Sequence, residues 1–135
     1  MIVLKDTEIT ATDPKVIAKV FQDLLAVEDT IDQDKEHLYI MHLDARNTVD
    51  MVELVAIGII NTVLTHPREV YRRAIIEGSV TIIVAHNHPS QAVEPSDDDV
   101  HVTKRLQNAG DILGIPVLDH IIFTKDTYFS MKENR

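Results

Sequence analysis

Apolar positions recur along this chain with two different periods. Val16, Ile17, Val20, Phe21, Leu24 and Leu25 follow the i, i+1, i+4, i+5 spacing of one face of an amphipathic helix. Thr12-Asp13-Pro14 supplies the start, with Asp13 as cap and Pro14 at the first helical position. Glu28 to Lys35 is polar and reads as a loop. EHLYIMHLD (Glu36–Asp44) reads as a largely buried strand with His42 interrupting one face. Ala45-Arg46-Asn47 is turn-like, and TVDMVELVAIG returns as the second strand of a hairpin. Thr65-His66-Pro67 opens a short helix, PREVYRRAIIE, stopped by Gly78; His66 belongs to that helix start. SVTIIVA (Ser79–Ala85) is an unbroken apolar run, as in a strand covered on both faces. His86–Pro95 follows as a loop. Ser96 to Leu113 reads as a long helix with Val100, Thr103, Leu106, Ala109 and Leu113 on one face and Gly114 ending it. PVLDHIIFT and TYFSM finish as short strands, and the tail Lys132–Arg135 is expected to fray. The order α, β-hairpin, α, β, α, ββ gives an α/β class: a mixed β-sheet flanked by helices.

Composition narrows this picture. A chain of 135 residues is the size of one domain, taken as 1–135. It can bury roughly two thirds of its unfolded surface without staples. There is no cysteine, which excludes disulfides, thiol nucleophiles and Cys-based zinc sites. Any metal must be held by His and carboxylate. The net charge of −9 argues against a phosphate-binding surface, so nucleic acid is a poor partner on charge alone. MIVLKDTEIT is too short an apolar run for a signal peptide and no stretch suits a membrane span, so the chain reads as soluble and cytoplasmic. Exposed strand edges leave a homodimer open.

The candidate chemistry lies in IIVAHNHPSQ (Ile82–Gln91) and the residues after it. Residues two apart on a strand point to one face, so His86 and His88 could share a metal ion. Imidazole suits Zn²⁺, which in catalytic sites takes three protein ligands and leaves one position to water. Glu94, Asp97, Asp98 and Asp99 are near in sequence. Asp99 is the best placed, since a helix starting at Ser96 aims its first turn back at the histidines. Hydrolysis also needs a base that is not itself a ligand. Ser96-x-x-Asp99 reads equally well as a capping box, and three aspartates favour a helix N-terminus whatever else they do. The adjacent letters His86-Asn87-His88 alone do not indicate a nuclease.

The full pattern, His86, His88, Pro89, Ser96 and Asp99 as H-x-H-P-x(6)-S-x-x-D, resembles the JAMM motif of the JAB/MPN metalloprotease superfamily. EHLYIMHLDARN, Gly58, HPREV, AHNHPS, EPSDDD and LDHIIF make the chain resemble the RadC-like branch, often called DNA repair protein RadC, from about Pro14 to Met131. The resemblance implies a JAB/MPN-like fold with a cytidine-deaminase-like three-layer arrangement. It implies His86, His88 and Asp99 as zinc ligands and Glu36 as general base, with Glu53 the competitor on the next strand. Ser96 would support the water or the oxyanion. The reaction implied is zinc-assisted cleavage of a peptide or isopeptide bond in a peptide or protein substrate. His120 reads first as a satisfied polar residue on a late strand; the alternative is that it and Asp119 orient a ligand. His37, His42 and His101 receive no role.

Two departures matter. RadC-like proteins usually have Gly where Gln91 stands, and Gly permits positive φ, so a reshaped or strained loop is expected. Longer members also carry an N-terminal helix-hairpin-helix region, which is not expected here, so a link to DNA repair is weakest for this part. The competing functions are a non-catalytic MPN-type scaffold or DNA-repair accessory module with a structural metal, and a nuclease, which the charge disfavours. A zinc deaminase needs cysteines that this chain lacks.

Overall fold

A computed structural model describes residues 1–60 and 65–134. Among them, in chain order, lie strand β1 (Ile2–Lys5), helix α1 (Pro14–Ala26), a single helical turn α2 (Thr30–Gln33), and strands β2 (Glu36–Leu43) and β3 (Val49–Gly58). Helix α3 (Pro67–Glu77), strand β4 (Thr81–Asn87), helix α4 (Asp97–Leu113) and strands β5 (Val117–Phe123) and β6 (Tyr128–Ser130) follow. The six strands form one sheet in the order β1-β3-β2-β4-β5-β6. Only β4 and β5 pair in parallel, which requires a crossover, and α4 is that crossover.

The helices begin and end where local chemistry dictates. Asp13 Oδ1 accepts the Lys15 N–H at 2.9 Å, and Pro14 occupies the first turn of α1. Gly78 and Gly114 close α3 and α4 at φ 70° and 73°, in the left-handed region. Strand alternation then divides the core. Tyr39, Met41, Leu43, Ile83, Ala85, Ile121 and Phe123 meet Ile17, Phe21 and Leu25 of α1 on one face. Leu38, Ile40, Ile82 and Val84 meet Val70, Tyr71 and Ala74 of α3 and Val102 and Leu106 of α4 on the other. The result is a three-layer α/β fold, as the resemblance to JAB/MPN domains implies.

Four local expectations need correction. Ile2–Lys5 adds an edge strand on β3; its four residues are too few for a period to show. Within the expected loop Glu28–Lys35, Thr30–Gln33 makes one helical turn. The buried face of α4 is Asp99, Val102, Thr103, Leu106 and Gly110, whereas Val100 and Leu113 are 47% and 45% exposed. The tail does not fray through Asn134: Asp119 Oδ1 accepts the Lys132 N–H at 3.0 Å, and Asn134 Nδ2 donates to Ser130 O at 2.7 Å. Arg135 lies outside the described residues.

Gly110 shows how closely α4 packs. Tyr71 Oη donates to Leu106 O at 3.0 Å directly over it. A methyl group at 110 would meet Ile115 O at 2.6 Å and the Tyr71 hydroxyl closer still. Helix propensity alone favours Gly110→Ala by up to about 1 kcal/mol. The clash reverses that sign, and Gly110→Ala is expected to cost about 1–3 kcal/mol. Thermal melting beside wild type reads the sign directly.

Candidate metal centre

The site forms where β4 ends and α4 begins, at the carboxyl end of a strand beside a parallel neighbour. Strand geometry in β4 runs through Asn87, so His86 is part of the strand rather than of the loop after it. His88 lies one step beyond and is still tied to β5, its N–H donating to Phe123 O at 3.0 Å. The two imidazoles therefore stay on one side, with ring centroids 4.9 Å apart. Ser96 caps α4 and sets Asp99 in its first turn, and a full capping box forms between them. Ser96 Oγ accepts the Asp99 N–H at 3.1 Å, and Asp99 Oδ2 accepts the Ser96 N–H at 2.8 Å.

That cap also aims the carboxylate inward. Asp99 Oδ1 lies 3.1 Å from His86 Nε2, and Oδ2 lies 3.1 Å from His88 Nε2. The two Nε2 atoms are 3.1 Å apart, and the ligand atoms of His86, His88 and Asp99 all fall within 4.8 Å of one another. His88 Nδ1 is 2.6 Å from Ala92 O. A carbonyl only accepts, so Nδ1 carries the proton and Nε2 of the neutral ring turns a lone pair inward. Two imidazoles and a buried carboxylate facing one another are the donor set that Zn²⁺ takes, and these residues fit it. Burial pushes the Asp99 carboxyl up, but the contacts with His86 and His88 outweigh it and hold it well below the usual range. The same contact with Asp99 raises His88 against the opposing effect of burial.

Glu36 reaches this centre through strand register. β2 and β4 are antiparallel with Leu38 opposite His86. Two steps along each strand, the same register sets Glu36 across from His88. Asn87, between the histidines, holds that alignment where ladder pairing stops. Its Oδ1 accepts the His37 N–H at 2.6 Å and its Nδ2 donates to Lys35 O at 3.0 Å, clamping the backbone on both sides of Glu36. Glu36 Oε2 accepts the Ile60 N–H at 3.1 Å. Glu36, His88, Ser96 and Asp99 line one open groove of about 720 Å³, together with Gly58 and Ile59.

Glu53 lies elsewhere. Its Oε2 accepts from Arg73 Nε at 3.0 Å, and its Oε1 is 3.6 Å from His42 Nε2. His42 is wholly buried and Nδ1 bonds Ser79 Oγ at 3.0 Å. Burial lowers its pKa from 6.5, the pull of Glu53 notwithstanding; Arg73 also lowers it and Asp50 raises it. An unfolded chain therefore takes up this proton first as pH falls, and the stability tied to neutral His42 is lost below about 6.5. The difference in Tm between wild type and His42→Gln is expected to narrow from about pH 7 to about pH 5.

The remaining candidates separate. His120 Nε2 is 2.8 Å from His86 Nδ1, so His120 contacts the candidate ligand His86 directly and is more than a polar residue on a late strand. Asp119 does not share that role: it accepts from Ser130 Oγ at 2.6 Å and holds the C-terminal turn. Gln91 takes the strained alternative, with φ 69°, a left-handed conformation costing about 1–2 kcal/mol outside glycine. His66 caps α3 without a side-chain bond, and His37 Nδ1 bonds Lys35 O at 2.8 Å. His101 on α4 is exposed. Asn87 and Thr103 are the residues that sequence reasoning missed as parts of the centre. Asn87 had one available signal, its place between two same-face residues of a strand, which turns its side chain away from them.

Comparison with known proteins identifies the family of the chain. A family described as the RadC-like JAB domain matches residues 11–135. The chain belongs to this family. The UPF0758 protein of Pelodictyon phaeoclathratiforme is 48% identical over 103 residues, covering 76% of this chain and 46% of that protein. The UPF0758 protein of Alkaliphilus oremlandii is 45% identical over 111 residues, covering 82% and 48%. The chain thus spans about half the length of the curated relatives it matches. Among the described residues of this RadC-like JAB domain, no helix is long and apolar enough to cross a membrane.

Proposed function

We propose that this RadC-like JAB domain is a zinc-dependent hydrolase that cleaves a peptide or isopeptide bond. The observation that carries the reading is the convergence of His86, His88 and Asp99 on one point beside a groove that Glu36 also lines. His86, His88 and Asp99 would hold the ion. When bound, zinc polarises a carbonyl and makes water acidic enough to ionise near neutral pH.

The chain's own residues do the rest. Glu36 takes the proton of the attacking water and returns it to the leaving amine, acting as base and then as acid. Ser96 Oγ accepts the Asp99 N–H, which leaves its own proton to donate toward the developing oxyanion, a contact that strengthens as charge develops. The groove also carries Asp34 and Asp98 on its walls. Set against Lys35 and a bound divalent ion, these four carboxylates leave the groove with a small negative charge that disfavours a phosphodiester backbone, so the substrate we infer is a peptide or protein, not a nucleic acid.

The second reading is a non-catalytic scaffold with a structural metal. The capping box favours it, since Ser96 and Asp99 already have work in starting α4. Zinc content of tag-free protein and hydrolysis of a peptide library separate the two. About one zinc per chain, lost in His88→Ala, with turnover on the library, supports the enzyme. Bound zinc without turnover on peptide or isopeptide substrates supports the scaffold. No zinc uptake ends both.

A further inference from the structure

His120 takes no part in the proposed hydrolysis, yet it is only 1% exposed and lies directly behind His86. Its other ring nitrogen, Nδ1, meets Thr103 Oγ1. The direction of these contacts is forced by one proton. Thr103 Oγ1 lies 2.8 Å from the Asp99 carbonyl oxygen, the back-bond of a helical threonine to the residue four earlier. A carbonyl cannot donate, so the hydroxyl proton is spent there. Met131 Sδ, 3.3 Å away, is a weaker acceptor for it. Toward His120 the Thr103 oxygen can only accept, so His120 Nδ1 carries a proton. The Nε2 of the neutral ring is then a lone pair, 2.8 Å from His86 Nδ1, which must donate. His86 is left with a bare Nε2 turned toward Asp99 Oδ1 and His88.

We propose that Thr103 and His120 are positioning residues that fix His86 in the Nδ1-protonated form and so present its Nε2 to the metal. The proposal rests on the metal-binding reading above. The path closes on itself: the main chain of Asp99 anchors Thr103, Thr103 orients His120, His120 orients His86, and the Asp99 side chain meets His86 from the front. Three elements, β4, β5 and α4, are thereby locked around one set of donors. A ligand histidine usually donates its outer N–H to a carboxylate, a carbonyl or water. An imidazole here does the same without adding a second negative charge to a buried site that already holds Asp99.

The test is zinc affinity by chelator competition on wild type, His120→Leu, His120→Gln and Thr103→Val, beside the ¹⁵N imidazole spectrum of metal-free wild type. His120→Leu is expected to bind zinc about 10–100-fold more weakly. His120→Gln, whose amide oxygen can accept the His86 N–H, is expected to recover most of that loss. A folded His120→Leu with wild-type affinity overturns the proposal. If His120→Leu does not fold, Thr103→Val decides: weaker zinc binding supports the positioning role, and unchanged binding overturns it. The spectrum needs no metal. His86 protonated on Nδ1 supports the assignment, and protonation on Nε2 alone overturns it. If wild type takes up no zinc at all, the hydrolase reading fails by that result, while the spectrum still decides the arrangement of His86 and His120.

Discussion

Glu36→Gln is expected to lower peptide or isopeptide hydrolysis by about 10²–10⁴-fold, the usual contribution of a general base, and to leave zinc content unchanged. The substitution is close to isosteric. The amide oxygen it introduces can still accept the Ile60 N–H that Glu36 Oε2 accepts at 3.1 Å, so the groove keeps its shape and only the proton acceptor is lost. Glu36 is also absent from the group that could hold a metal, so its neutralisation removes no candidate ligand. The control is Glu53→Gln. That residue is paired with Arg73, and its replacement is expected to lower Tm without changing turnover per folded molecule. Turnover, zinc content and Tm on both variants separate the roles. Equal loss of turnover in the two variants, or loss of zinc from Glu36→Gln, would remove Glu36 from its place as the base.

The cluster of His86, His88 and Asp99 was legible because each part of it rests on a local rule. His86 and His88 share a strand face two residues apart, and Ser96 with Asp99 forms a cap three residues apart; neither needs a tertiary contact. The choice of Glu36 over Glu53 came from resemblance, and the physical reason for its location is register, which follows from Leu38 pairing with His86. The face of α4 was misread for an instructive reason. Its buried positions include Asp99 and Gly110 beside Thr103, and the expected stripe held Thr103 but neither of the other two. A search for hydrophobic spacing therefore settles on Val100 and Leu113, a rotation away. The same polar positions carry the site: Asp99 is a ligand candidate and Thr103 backs His120. The period failed on the buried face that holds the centre. His120 and Thr103 meet only because β5 packs beside β4 under α4, a relation between distant segments that no local pattern encodes.

Asp99 is where helix cap and candidate ligand coincide, and substitutions can pull them apart. Ser96→Ala removes the hydroxyl that accepts the Asp99 N–H. It is expected to cost about 1 kcal/mol of stability while changing zinc affinity by less than the roughly 10–100-fold that loss of a group bonded to a ligand costs, since the hydroxyl bonds the Asp99 main chain and the carboxylate keeps the Ser96 N–H. Asp99→Asn does the reverse. Its amide oxygen can still accept the Ser96 N–H, so the helix keeps its start, but the anion between the two histidines is gone. Zinc affinity is expected to fall by more than about 100-fold, beyond what loss of a supporting group costs. Asp99→Ala should show both effects. Without metal, the Asp99–His88 pair has its own pH signature. Asp99 is held below its ordinary 3.8, so its contribution is present above that pH and lost below. His88 is raised above 6.5, so its contribution is present below that pH and lost as pH rises through the raised value. The stability lost in metal-free Asp99→Asn should therefore be largest between 3.8 and 6.5 and shrink on either side. Chelator competition and melting across that range measure both. Wild-type zinc affinity in Asp99→Asn would reduce Asp99 to a helix cap, because a neutral amide there supplies the cap's acceptor but not the charge a third ligand must bring.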